Sequence, residues 1–219
     1  MKKLFLFTLV ASTLIFTGCF KDDDTPIIIE EITIINNAPG NTGGDDCPTV
    51  AVTGAISVNT TWTANNIYQL NQKVVVSEGV TLTINPGTII KGSPGTGSLA
   101  SALIVARGAT LNAQGTADQP IIFTSTEDNI TCGEIAGTNL NENDRGRWGG
   151  LIVLGSAPCS FSGDILEAQI EGIPADDSFG LYGGTDASDS SGSLRYLSIR
   201  HGGALIGEGN EINGLTLGG

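Results

Sequence analysis

The stretch Lys73 to Gly92, KVVVSEGVTLTINPGTIIKG, returns in outline as LIVARGATLNAQGT from Leu103 to Thr116. Val74-Val75-Val76 answers Leu103-Ile104-Val105, Gly79 answers Gly108, Thr81-Leu82 answers Thr110-Leu111, and Gly87-Thr88 answers Gly115-Thr116. The first copy carries one extra residue before its second glycine. An offset of 29 residues, Val74 against Leu103, is a strong constraint. A unit that short cannot bury its own apolar face, so it must stack on copies of itself. Within each copy Leu82 and Ile84 alternate with Thr81 and Thr83, and Leu111 and Ala113 with Thr110 and Asn112, the period of a strand with one buried face. Stacked in register, the aliphatics line a common interior and the Thr and Asn side chains form ladders outside. The expected fold is an all-β solenoid.

The rest of the chain is arranged around those coils. Met1 to Cys19, MKKLFLFTLVASTLIFTGC, has two lysines, about a dozen apolar residues and a small-residue end, the pattern of a signal peptide over residues 1–18. Phe16-Thr17-Gly18-Cys19 resembles the lipobox of bacterial lipoproteins, with Phe16 where that motif prefers Leu. The resemblance implies that Cys19 is diacylated and becomes the new N-terminus; the alternative is an ordinary secretory signal cut near Gly18. Lys21-Asp22-Asp23-Asp24 resembles the export signal of Bacteroidetes lipoproteins that reach the outer face of the outer membrane, and fits a solvated acidic linker as well. Residues 19–48 are then a lipidated linker. Its isoleucine-rich part, Ile27 to Ile35, is a possible cap on the first coil, because a solenoid end must be covered against edge pairing.

The solenoid proper spans residues 49–219, one domain of ordinary size. Residues 126–147, rich in Asn, Asp, Glu and Gly, and an excursion from Ala157 to about Ser193 read as loops hung from the coils. The last strands, Leu194 to Arg200 and Ile212 to Leu217, run to Gly219 without a closing cap, so further coils or a partner are expected to cover that end. After the leader no apolar run is long enough to cross a bilayer as a helix. Charge sets the excluded partners: with 23 acidic against 10 basic residues the net charge is -13, or about -15 once Lys2 and Lys3 leave with the signal peptide. Such a surface repels nucleic acid and leaves cation binding open.

WTANNIYQLNQKVVVSEGVTLTINPGTIIKG, ADQPIIFTS, RGRWGGLIVLG, YGGTDASDSSGSLRYLSIRHGG and EINGLTLGG follow one another. In this order they resemble a family of Bacteroidetes and marine-proteobacterial surface lipoproteins, over roughly residues 55–219. The resemblance implies a right-handed single-stranded parallel β-helix. It also implies that the chain is the N-terminal part of a longer protein, since members often continue with further coils.

Several groups could carry chemistry. An exported protein with three cysteines besides Cys19 is expected to form a disulfide. Cys132 and Cys159, 27 residues apart and flanking the same Trp148 to Leu154 strand, are the expected pair; Cys47 with either of them, or three buried thiols, are the alternatives. Asp186 and Asp189, in Asp-Ala-Ser-Asp-Ser-Ser-Gly, loosely echo a calcium loop but lack its bidentate Glu; a turn closed by its own Asp and Ser side chains fits the same residues. In the strand after Leu194, inward Leu197 and Ile199 would aim Tyr196, Ser198 and Arg200 outward as one row, a ring, a hydroxyl and a guanidinium suited to a sugar, or simply a solvated sheet face.

Catalysis finds little support in the pattern. Asp176 and Asp177 are adjacent and point apart in extended chain, whereas glycoside hydrolysis needs two carboxyls flanking one bond. The single His201 has no nucleophile motif beside it, and precedes two glycines as a turn residue would. The expectation is a surface-anchored, non-catalytic β-helix that binds glycans or mediates adhesion without a cofactor. The rivals are a polysaccharide-degrading lyase or hydrolase and a purely structural stalk.

Overall fold

The computed structural model describes residues 34–35 and 47–219, apart from residue 164 and residues 208–209. The expected signal peptide, the lipidation site Cys19 and the export residues Lys21, Asp22, Asp23 and Asp24 lie outside those residues. The short strand β1 (Ile34–Ile35) pairs antiparallel with the start of β2 (Thr49–Ile56), across the first coil. The first coil continues in β3 (Thr60–Trp62), and the second is β4 (Ile67–Val76) and β5 (Thr81–Ile84). The third comprises β6 (Ile89–Gly92), β7 (Ala102–Val105) and β8 (Thr110–Gln114). The fourth runs through β9 (Ile121–Ser125) and β10 (Gly150–Leu154), leaves for an excursion holding β11 (Ala168–Gln169) and β12 (Leu181–Tyr182), and returns as β13 (Gly192–Arg195). The fifth is β14 (Leu197–Ile199), a hairpin of β15 (Leu205–Gly207) and β16 (Asn210–Glu211), and β17 (Leu215–Gly218).

Each coil strand lies parallel on its counterpart one coil earlier, so the solenoid has three faces and is a right-handed parallel β-helix. The first face stacks the N-terminal halves of β2 and β4, then β6, β9 and β14. The second stacks the C-terminal halves of β2 and β4, then β7, β10 and β17. The third stacks β3, β5, β8 and β13. The repeat seen in the sequence is one coil: Val74 lies on Leu103, Val75 on Ile104, Thr81 on Thr110 and Leu82 on Leu111. Gly79 and Gly108 turn the same corner with φ of 75° and 73°, and the Gly79 N–H donates to the Gly108 carbonyl at 2.9 Å. A side chain at either position would be strained.

Inward rows fill the interior. Trp62 stacks on Tyr68 with centroids 4.7 Å apart, and Phe123 on Trp148 at 6.5 Å, among fully buried Leu70, Leu82, Leu103 and Leu111. On the third face the outward row is Thr61, Thr83, Asn112 and Ser193, the polar ladder that alternation predicts.

The other two faces depart from alternation. β7, β9 and β10 are buried at every position, because the two excursions fold back over the outside of the solenoid rather than hanging free. Residues 126–147 place Ile130 against an outward isoleucine stack, Ile67, Ile89 and Ile122. The later excursion and the β15–β16 hairpin lay Ile170, Ile173, Ala204 and Ile212 over outward Ile104, Ile152 and Leu154. At the other end of the interior, Leu215 and Leu217 continue the inward row of Leu151 and Val153 yet are 43% and 65% exposed. Among the described residues no helix is long and apolar enough to cross a membrane.

Candidate functional site

The covered faces create two concavities where their covers end. The larger, about 690 Å³, lies on the outside of the second face. Its floor is Ala55 and Val75, the early members of the outward row whose later members, Ile104 and Ile152, are roofed by the second excursion. Its far wall is Asp177, Ser178, Phe179 and Leu181 of that excursion, and Thr53, Gln72, Ser77, Glu78 and Arg107 complete the rim. Lys73 fixes the wall to the floor: its Nζ donates to Asp177 Oδ2 at 2.9 Å and sits 5.9 Å from the centre of the Phe179 ring. Arg107 Nη1 holds the excursion from the other side, donating to Glu167 Oε1 at 2.6 Å and to the Gly183 carbonyl at 2.8 Å. An apolar floor, an aromatic ring, hydroxyls and an amide within one groove suit a polyhydroxylated ligand that is apolar on its ring faces.

The smaller concavity, about 400 Å³, lies under residues 126–147 at the end of β14, lined by Asp128, Ala136, Gly137, Leu140, Asn141, Glu142, Asp144, Arg145, Arg200 and His201. Buried Asp128 is fully used: Oδ2 accepts from Thr124 Oγ1 at 2.8 Å, Oδ1 accepts from the Ile130 N–H at 3.0 Å, and its carbonyl accepts from Lys91 Nζ at 2.7 Å. Burial pulls the Lys91 ammonium below its ordinary range, against the attraction of Asp128 and Glu134. Asp144 accepts from the Asn141 N–H at 3.0 Å and from Arg147 Nη2 at 2.6 Å, and these bonds, the backbone one first, hold its carboxyl below the usual carboxylate range.

The residues singled out in the sequence fare unevenly. Leu197 and Ile199 face inward as expected, but Tyr196, Ser198 and Arg200 form no flat row. Tyr196 sits at the corner between the third and first faces with φ of 50°, half exposed, its ring 5.2 Å from the Arg195 guanidinium. The chain changes face there, so its side chain belongs to neither strand. Ser198 and Arg200 do lie together, Arg200 Nε donating to Ser198 Oγ at 2.8 Å, but Arg200 Nη2 is spent on the Ile135 carbonyl of the overlying loop at 2.6 Å. Asp186 Oδ1 accepts from the Ser188 N–H at 2.9 Å and hydroxyl at 2.7 Å, bonds that lower its pKa and close the turn internally. Among the described residues Asp186 and Asp189 belong to no group of three or more His, Cys, Asp or Glu placed to hold a metal ion.

The expected Cys132–Cys159 disulfide is corrected: Cys132 pairs with Cys47, and Cys159 is free. A separation of one coil puts two residues on neighbouring coils, but it does not put them on the same face. Cys132 lies in the loop over the first face, where β2 begins just after Cys47, whereas Cys159 follows β10 on the second face. The groove residues Lys73, Phe179 and Arg107 escaped the sequence reading. The signal that could have found Lys73 is a cation on the outward side of an otherwise apolar repeat.

No curated protein and no solved structure matches this chain. A protein family does, described as a pectate-lyase-like beta helix domain, over residues 54–219, most of the chain and all of the solenoid beyond its first strand. By sequence and by its coils, the chain belongs to the pectate-lyase-like beta helix domain family.

Proposed function

We propose that this protein is a glycan-binding β-helix held at the cell surface by a lipid on Cys19, and that polysaccharide lies in the groove floored by Val75 and walled by Phe179. The carrying observation is that groove, about 690 Å³, in which an aromatic ring and an apolar floor adjoin hydroxyl, amide and charged groups. Affinity electrophoresis of the full chain through a panel of acidic and neutral polysaccharides tests it. Retardation on at least one, lost in Phe179→Ala with the fold intact by circular dichroism, is the expected result; equal retardation of the variant removes the groove as the site.

The family assignment fits a polysaccharide-degrading enzyme equally well, and Glu78 and Asp177 are two carboxylates on the same groove. Following reducing ends and unsaturated uronates in the same incubations separates the readings, since turnover would replace binding by catalysis. Anchorage is tested apart from both: Cys19→Ala is expected to move the protein from the outer-membrane to the soluble fraction.

A further inference from the structure

We propose that the third face of the solenoid binds ice: the open ladder of Thr61, Thr83, Asn112 and Ser193, with Thr81 and Thr110 beside it, holds waters in the repeat of a growing crystal. Charge singles the face out. The chain carries 23 acidic and 10 basic residues, yet β3, β5 and β8 contain none of them and β13 only Arg195. A face kept neutral on so acidic a molecule suits a partner without charge. Among the described residues it is also the face that no segment folds over, so its outward side chains meet solvent.

Spacing selects among neutral partners. Thr61 lies on Thr83, Thr83 on Asn112 and Asn112 on Ser193, and Thr81 lies on Thr110, each pair in register on successive coils. Neighbouring strands stand about 4.7–4.9 Å apart, and alternate residues of one strand, such as Thr81 and Thr83, about 6.6–6.8 Å apart. The six side chains therefore form a rectangular array. Waters joined by hydrogen bonds of about 2.75 Å at tetrahedral angles set their second neighbours about 4.5 Å apart and repeat about every 7.3 Å along the perpendicular axis. Both spacings of the face lie within about a tenth of those of the crystal. The groups on the array are free: among the described residues none of the six side chains makes a hydrogen bond within the protein, and the bond from Thr81 to Asn59 Oδ1, at 2.8 Å, uses the backbone N–H. A hydroxyl donates one hydrogen bond and accepts others, as a water does. Threonine is stiff at χ1, so such a ladder loses little freedom when its hydroxyls meet an ordered lattice.

Partition into ice tests the proposal. A dilute solution of the full chain is frozen slowly from a cooled surface beside a non-adsorbing control protein, and each is measured in the ice and in the remaining liquid. A growing crystal rejects a solute that does not adsorb to it. Expected is incorporation of the native chain several-fold above the control, falling to the control level in Thr83→Lys, whose longer charged side chain interrupts the array at its centre. Thr110→Lys gives a second reading of the same face. Both positions lie on the solvent side of their strands, and circular dichroism checks that the coils are kept. Phe179→Ala, in the groove, should partition as the native chain does, which separates this face from the proposed function. Rejection of the native chain at the control level, or undiminished incorporation of both lysine variants, would overturn the proposal. So would a dimer in gel filtration that Thr83→Lys dissociates, since the face would then belong to a second copy.

Discussion

The third face of the solenoid and the first two are made by the same coils, yet they have opposite outsides. Strands β5 and β8 of the third face bury every second residue and leave Thr83 and Asn112 at the surface. Strands β7, β9 and β10 bury all of theirs. The cause is the chain between strands. In the second and third coils the second face joins the third by tight corners such as those at Gly79 and Gly108, whereas in the fourth coil two long excursions, one after β9 and one between β10 and β13, fold back over the sheet they left. An outward aliphatic in a parallel sheet is stable only under such a cover. Both concavities sit where a cover stops, so the asymmetry that gives the protein a second apolar layer also makes its two candidate sites.

That comparison breaks most sharply under a buried charge. Ile104→Asp puts a carboxylate beneath the second excursion and should cost more than about 4 kcal/mol, whereas Thr83→Asp, one face away, should stay within about 0.5 kcal/mol. Denaturant midpoints of the two variants check this, and comparable values would mean that the cover does not exclude water. Next in size is Cys47→Ser with Cys132→Ser. A bridge across a sequence separation of 85 contributes about 4–5 kcal/mol on the chain-entropy account. Cleavage within residues 126–147 should appear in the serine variant under conditions where the third-face strands stay protected. Smaller again is Gly92→Ala, whose Cβ would stand 2.5 Å from Trp148 Cε3 and 2.7 Å from Ser101 Oγ; overpacking there should cost about 1–3 kcal/mol.

The coils were legible because their information is periodic. Thr81-Leu82-Thr83-Ile84 and Thr110-Leu111-Asn112-Ala113 carry both strand type and register, and the structure stacks them residue on residue. The covers were less legible. ALIV, PIIF and GLIVL are continuous apolar runs, which state that both sides are buried without saying by what. The covering residues, Ile130, Ile170 and Ile173, are single isoleucines scattered in polar sequence with no period to mark them. The same blindness misplaced the disulfide, since sequence distance measures coils and not faces. It also made a row of Tyr196, Ser198 and Arg200, because nothing in LRYLSIR announces that Tyr196 turns left-handed where the third face ends.

The mildest test concerns how the first cover is held. Asp144, its side chain 17% exposed, ties residues 126–147 through Arg147, and its carboxyl titrates below the ordinary carboxylate range because the Asn141 N–H and then Arg147 favour its charged form. A carboxyl whose pKa is lowered by folding contributes stability that is complete above its unfolded pKa and fades as pH falls through the folded one. The tie therefore holds at neutral pH and loosens only below about pH 4. Pepsin supplies the measurement, since it cuts in that window. Cleavage of residues 126–147 should rise several-fold between pH 4.5 and 2.5 in the native chain and change little in Asp144→Asn, in which the charged acceptor is already gone. An equal rise in both would mean that Asp144 is not the group that holds the cover at neutral pH. The third face, with no such cover to release, should show no cleavage across the same range.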